Sequence, residues 1–402
     1  MRSRTVKRAF RYRFHPTAVQ AAELSRTFGC VRKVYNLALA ARSEAWRRQE
    51  RVGYARTSAM LTEWKRTEEL AFLSAVSSVP LQQALRHVQH AFVAFWDKRA
   101  RYPRFKSKKR SRASAEYTRS AFALRDGRLT LAKMREPLDI VWSRPLPEGA
   151  DPSMATVSRD AAGRYFVSLL CEDIPADLSG GAGAVGIDVG ITSLVTLSTG
   201  EKIANPGHER RERARLARAK RELARKEKGS RNRTKARMKV ARIHARIADR
   251  RRDSLHQLST RLVRDNQTLV IEDLSVRNML GNHALARAVA DASWAALRSM
   301  LEYKCAWYGR ELIVVDRWFP STKLCSSCGT LADVLPLGVR IWTCETCGRT
   351  HDRDVNAAVN LLAAGLAVAV CGDGVGPQRN SPERQRSAKQ KSRPVREGTL
   401  SS

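Results

Sequence analysis

Apolar positions along the chain follow two periods, and the places where one gives way to the other mark its elements. Residues 5–14, TVKRAFRYRF, alternate apolar and polar as a half-buried strand does. After His15-Pro16-Thr17 the spacing lengthens: Val31, Val34, Leu37 and Leu39, then Leu81, Ala84, Val88, Ala91 and Phe92, fall at helical intervals to about residue 100. This predicts a small helical domain inserted after a first strand. Short alternating segments follow, RLTLA (128–132), DIVW (139–142), ATVSRD (155–160) and RYFVSLLCED (164–173), and predict a β-barrel-like module closing with that strand.

Glycine-rich LSGGAGA (178–184) marks the best domain boundary. Beyond it the strand patterns AVGIDVG, ITSLVTL, TLVIED and ELIVVD (311–316) are interleaved with a long helical stretch and a helix over about 285–309. Such interleaving predicts an α/β domain with a central sheet. Val355, Val359, Leu362 and Leu366 predict a last amphipathic helix, and the polar tail 378–402 has too few apolar residues to fold. A chain of 402 residues is long for one core, so several domains are expected.

Charge then narrows the function. Lys and Arg number 74 against 39 Asp and Glu, a net +35, which points to a polyanionic partner, nucleic acid before an acidic membrane surface. The longest apolar segment, LLAAGLAVAV (361–370), is too short to span a bilayer, and the N-terminus has no secretory apolar core. The expected location is cytoplasmic, nucleoid-associated when the protein is on DNA. Basic residues concentrate in two places. YPRFKSKKRSR (102–112), broken by Pro103, reads as a polyanion-binding loop with Arg104, Lys106, Lys108 and Lys109 as contacts. Residues 209–253 carry 20 Lys and Arg against 6 Asp and Glu, predicting a helical hairpin turned at KGSRN (228–232), with Arg231, Arg233 and Lys235 among its contacts. The bland alternatives are a solvated linker and a solvated helix face.

Among eight cysteines, Cys325, Cys328, Cys344 and Cys347 form two C-x2-C knuckles fifteen residues apart, each followed by a glycine, Gly329 and Gly348. Four thiolates close a tetrahedral Zn²⁺ site and leave no open position, so the zinc is structural. Cys30, Cys171, Cys305 and Cys371 lie apart and read as buried small hydrophobes. Acids stand out in so basic a chain. In VGIDVG (185–190), Asp188 is displayed between Gly186 and Gly190, which leaves room for a phosphate or metal to approach the backbone. The strand LVIED ends in Glu272 and Asp273, either of which can face the same place. Asp352 and Asp354 open the last helix, where capping is the ordinary role. Together the three segments supply oxygen ligands for two divalent cations.

GIDVG, IEDLSVRNM, FPSTKLCSSCG, WTCETCG and HDRDVNAAVNLL, in this order and spacing, resemble the TnpB family of insertion-sequence proteins, which are similar to the ancestors of type V CRISPR effectors. FGCVRKVYNLAL (28–39) and PRFKSKK (103–109) extend the resemblance over most of residues 1–366. It implies a multidomain α+β and α/β protein. An RNase H-like (RuvC) nuclease domain would occupy 179–320 and 351–371, with a zinc ribbon inserted at 321–350. A wedge-type β-barrel (1–16 and 101–178) with an inserted helical recognition domain (17–100) would precede it, and a disordered basic tail (372–402) would follow. The implied activity is RNA-guided cleavage of double-stranded DNA beside a short flanking motif, with a guide RNA from the transposon end. Two Mg²⁺ ions, for which Mn²⁺ can substitute, would be held by Asp188, Glu272 and Asp354, leaving Asp352 and Asp273 to cap or support. The rival expectations are a guided DNA-binding regulator that does not cut and a transposase that transfers strands. Oligomeric state is left open.

Overall fold

A computed structural model of the chain describes residues 5–175, 178, 181, 183–336 and 338–371. Strand β1 (Val6–His15) turns Phe10, Tyr12 and Phe14 inward, as its alternation requires. The Thr17 side chain accepts from the Gln20 N–H at 3.2 Å and the Gln20 side chain from the Thr17 N–H at 3.1 Å, a reciprocal cap that starts α1 (Ala18–Arg47). Helix α2 (Tyr54–Arg66), a 3₁₀ segment (Glu68–Ala75) and α3 (Ser78–Trp96) follow. Next come β2 (Ala113–Thr118), β3 (Phe122–Arg125), β4 (Arg128–Leu131), β5 (Asp139–Val141), β6 (Met154–Arg159) and β7 (Tyr165–Asp173). Five strands form an antiparallel sheet in the order β2-β6-β7-β1-β5, and β3 and β4 make a separate hairpin.

The first strand therefore does complete this sheet, between β7 and β5. Among the described residues β2 and β5 do not pair with each other, so the ladder is open at those edges. One core joins helices and sheet: Phe10, Tyr12 and Phe14 pack with Leu24, Leu39, Leu81, Leu85, Val157 and Leu169.

The second half begins with β8 (Ala184–Asp188), β9 (Ser193–Leu197) and β10 (Lys202–Ala204). Helices α4 (His208–Ala224) and α5 (Arg231–Asp265) form the hairpin the charge pattern predicts. After β11 (Thr268–Glu272) come α6 (Val276–Met279), α7 (Ala286–Ala292), α8 (Trp294–Tyr308) and β12 (Glu311–Val315). The single helix expected over 285–309 is two, because Ser293 takes a left-handed φ of 57° between them. A short hairpin, β13 (Ile341–Thr343) and β14 (Thr350–Asp352), leads into α9 (Arg353–Cys371).

The second sheet runs β10-β9-β8-β11-β12, antiparallel through β8 and parallel from β8 to β12. On one face Val185, Ile187, Leu269 and Ile271 bury against Leu255 and Leu262 of α5 and Leu297 and Leu301 of α8. On the other face α9 brings Leu361 to Val270 and Val315. The residues of α9 that pack most deeply are Ala357, Ala358 and Leu361, whereas Leu366 is exposed, so the buried stripe is displaced from the one read at 355, 359, 362 and 366.

Gly186 explains the shift. A Cβ there would lie 2.0 Å from the Ala358 carbonyl oxygen, and one on Gly365 would lie 2.5 Å from a Val270 methyl. Small residues on both sides let helix and strand touch backbone to backbone. The bare face of Gly186 is thus filled by α9, not open to a phosphate or metal as the sequence suggested. Residues 179, 180 and 182 of the glycine-rich boundary, and the whole tail 372–402, lie outside the described residues. Among the described residues no helix is long and apolar enough to cross a membrane.

Candidate functional site

Strands β8 and β11 pair in parallel register from Ala184 with Thr268 to Ile187 with Ile271, so the next residues, Asp188 and Glu272, leave the sheet side by side. Two positions earlier stand Gly186 and Val270, both against α9, and the period of two aims the acids at the same face. Asp354 lies in the first turn of α9 and joins them. Burial first, then the charges of Asp354 and Glu272, push the half-buried Asp188 carboxyl up to about 7, against a pull from Arg353 and Arg340. Glu272 is raised as well, by burial and then by its neighbour Asp273.

Partners distinguish Glu272 from Asp273. Asp273 accepts from Arg298 at 2.5 Å and pairs with Arg317, and these bonds, Arg298 first, hold it below the ordinary carboxylate range. Glu272 forms no salt bridge among the described residues. A similar division separates Asp352 from Asp354. Asp352 Oδ1 accepts the N–H groups of Asp354 and Val355, both at 3.1 Å, and Oδ2 pairs with Lys202 at 2.6 Å, so Asp352 caps α9. Among the described residues, the Asp354 side chain pairs only with the exposed Arg340, at 3.2 Å. The three acids share one electrostatic cluster but are spread: among the described residues the four cysteines alone form a group whose ligand atoms all lie within 4.8 Å of one another.

At that cysteine group, Cys325 and Cys347 sulfurs are 3.7 Å apart and Cys328 and Cys344 sulfurs 3.6 Å. A tetrahedron with Zn–S bonds of about 2.3 Å has edges of about 3.8 Å, so the quartet fits zinc. Gly329 and Gly348, at φ 76° and 70°, make the knuckle turns that the sequence required of them. The other isolated cysteines, Cys30, Cys171 and Cys305, are buried as expected.

Sequence reasoning missed the residues that join this ribbon to the acids. Asn356 Oδ1 accepts the Ser326 N–H at 2.9 Å and its Nδ2 donates to the Leu324 carbonyl at 2.7 Å. Asn360 Nδ2 donates to the carbonyls of Ser321 at 2.8 Å and Leu324 at 2.6 Å. His351 places Nε2 3.1 Å from the Cys325 sulfur. The available signal was two asparagines four apart on a helix otherwise rich in small apolar residues.

The basic residues divide too. Arg104, Lys108 and Lys109 are exposed on an irregular segment. Lys106 is instead packed, its ammonium 3.8 Å from the Tyr35 ring centroid and its backbone bonded twice to the Asn36 side chain. On the hairpin, Arg231 and Lys235 are exposed, while Arg233 donates to the Leu223 and Lys226 carbonyls at 3.1 and 2.6 Å and ties the turn. Some hairpin charge is paired internally, as Glu212 with Arg215 and Arg250, and most is not.

Comparison with known proteins places these features in a family. Residues 169–283 match the OrfB family of IS605 type, described as "Probable transposase"; residues 294–361, with all four cysteines and Asp354, match a domain described as "Cas12f1-like, TNB domain". A "Helix-turn-helix domain" matches residues 1–51, whose described residues form one strand and one unbroken helix. A Streptomyces pristinaespiralis protein described as "Putative RNA-guided DNA endonuclease" is 71% identical over 384 residues, 95% of each chain. Escherichia coli K12 has a relative, "Putative RNA-guided DNA endonuclease InsQ", 32% identical over 91% of this chain and 94% of its own. The protein chain in a cryo-EM structure of a Cas12f1-sgRNA-target DNA complex shares the fold, with a TM-score of 0.55 over 89% of this chain and 98% of that one at 13% identity.

Proposed function

This chain belongs to the TnpB family, and from that premise we propose that it is an RNA-guided DNA endonuclease of a transposable element. It hydrolyses DNA phosphodiesters with two divalent cations, at a guide-matched site beside a short flanking motif. What supports this reading is that Asp188 and Glu272 end paired strands on the face covered by α9, near enough to Asp354 for its charge to act on Asp188, in a chain of net charge +35. Burial and the charges of Asp354 and Glu272, which push the Asp188 carboxyl up, are a standing cost to the fold, and a bound cation would reverse it.

Carboxylate oxygens suit Mg²⁺, and Mn²⁺ can replace it. Asp188, Glu272 and Asp354 would hold the two ions between them. When bound, the ions supply an activated water and stabilise the leaving oxygen. The protein's own part is placement. Strand register fixes Asp188 and Glu272, the Asp352 cap fixes the start of α9 and so Asp354, and Arg340 offsets part of the repulsion. Sequence choice then comes from pairing between guide RNA and target strand, with the basic hairpin gripping phosphates.

Protein purified with its RNA and given Mg²⁺ should cut a plasmid carrying the guide-matched site. Asp188→Asn should abolish cutting and keep RNA binding; undiminished cutting would remove Asp188 from the reaction. The description "Probable transposase" favours a second reading, strand transfer with the same acids. Joined products in a donor-plus-target assay would establish it, and a DNA shift without product would mark a regulator that only binds.

A further inference from the structure

Between α1, α3 and the chain that follows α3 lies a cavity of about 1140 Å³ that no step above uses. Its wall is aromatic and basic, with Trp46, Trp96 and Tyr102 beside Arg42, Arg51 and Arg86. Flat hydrophobic rings on a soluble surface are unusual: Trp46 is 69% exposed and Trp96 57%. Arg42 is the opposite case. It is 7% exposed, its guanidinium lies 4.3 Å from the Phe92 centroid, and it gives an N–H to the Gln89 Oε1 at 2.8 Å. No carboxylate pairs with it among the described residues. Glu50 also lines the cavity, but Arg48 lies against it at 3.6 Å. A buried cation without an anion is costly, and a ligand that brings one removes the cost.

We propose that this cavity takes unpaired nucleotides of the guide RNA, a base stacking on Trp46 or Trp96 and its phosphate meeting Arg42, with Arg51 and Arg86 at the rim. The inference rests on the reading that the chain binds a guide RNA. Aromatic faces beside guanidinium groups are the usual platform for unstacked bases, and Gln89, His90 and the Tyr102 hydroxyl offer polar groups for base edges and 2′-hydroxyls. The volume exceeds the roughly 300–1,000 Å³ typical of small-molecule pockets, so more than one nucleotide fits. RNA is favoured over DNA because the polar groups of Gln89, His90 and Tyr102 in the lining can bond 2′-hydroxyls, which DNA lacks.

The test uses the full chain purified with its own RNA, the single variants Trp46→Ala and Trp96→Ala, and no DNA. Trp46 is exposed, so its replacement should leave the melting temperature unchanged; Trp96 also packs on Phe92 at 5.6 Å, so its variant is read at a temperature where melts show it folded. RNA affinity should fall about tenfold per tryptophan, and chemical probing of the RNA 2′-hydroxyls should show at least one unpaired nucleotide protected by the parent protein and open in the variants. Unchanged affinity and protection with RNA still bound would overturn the pocket and leave the guided-nuclease reading standing. Protein that carries no RNA would sink both, and a footprint that appears only on added single-stranded DNA would overturn the choice of RNA.

Discussion

Asn360 donates through Nδ2 to the carbonyl oxygen of Leu324, 2.6 Å away and one residue before the first zinc-knuckle cysteine. Asn356, one turn earlier, clamps the same carbonyl and the Ser326 N–H. Both asparagines sit on the helix whose first turn carries Asp354, so the ribbon and that acid move as one piece. Asn360→Leu should therefore slow single-turnover cleavage by about 10–100-fold, the range seen when groups behind a metal ligand are lost, with RNA affinity kept. Asn360→Asp should also destabilise the fold, by about 1–3 kcal/mol, because it turns an acceptor onto two carbonyl oxygens. A variant cutting at the parent rate would show that the clamp has no hold on Asp354.

Metal in the ribbon should matter for the same reason. Cys325 is buried and touches His351, which is three residues from Asp354. Cys325→Ser should lower bound zinc to below one per chain by elemental analysis and reduce cleavage, and RNA binding by the hairpin should persist. Full activity at zero zinc would separate the ribbon from the acids.

Asp188 predicts a pH dependence that can be read without any cleavage assay. Its carboxyl is pushed from 3.8 up to about 7 by burial and by Asp354 and Glu272. The folded chain thus binds this proton more tightly than the unfolded chain; the ionised group opposes folding fully above pH 7 and not at all below its unfolded value. In chelator, Asp188→Asn should raise the melting temperature by about 3–6 °C at pH 8 and leave it unchanged near pH 3.5, provided the fold survives there. Mg²⁺ should stabilise the parent more than the variant at pH 8. An equal gain at both pH values would mean that the charge of Asp188 is not what the substitution relieves.

How much of this was legible in the chain depends on whether the signal was local. The strands at 139–141, 165–173, 268–272 and 311–315 and the start of a helix after Thr17 follow from period and residue type, and the structure has them. The zinc quartet followed from spacing alone. What failed needed a tertiary partner. Gly186 looked like space for a ligand because the carbonyl of Ala358, 172 residues later, cannot be read from the strand. The displaced stripe of α9 has the same cause, since backbone contact lets alanine and glycine bury where larger residues were expected. Period and residue type alone did not separate Asp273 and Asp352 from Glu272 and Asp354; the family resemblance did, and the structure sets Arg298, Arg317 and Lys202 beside the first two. Ser293 breaks a helix that its neighbours would continue.

Within the basic hairpin, the structure separates charge that builds the fold from charge free to bind. Arg233 spends two N–H bonds on the carbonyls that end α4, whereas Arg231 and Lys235 point outward with no salt bridge among the described residues. If the exposed pair meets RNA phosphates, Arg231→Gln with Lys235→Gln should reduce the slope of log affinity against log salt by about 1.4–1.8, one phosphate for each residue, with no change in melting temperature. Arg233→Gln should do the reverse, lowering the melting temperature with little effect on the slope. Titration of RNA binding at several salt concentrations, beside thermal melts, measures both. A double variant whose salt slope equals the parent's would make the outward charge an ordinary solvated face.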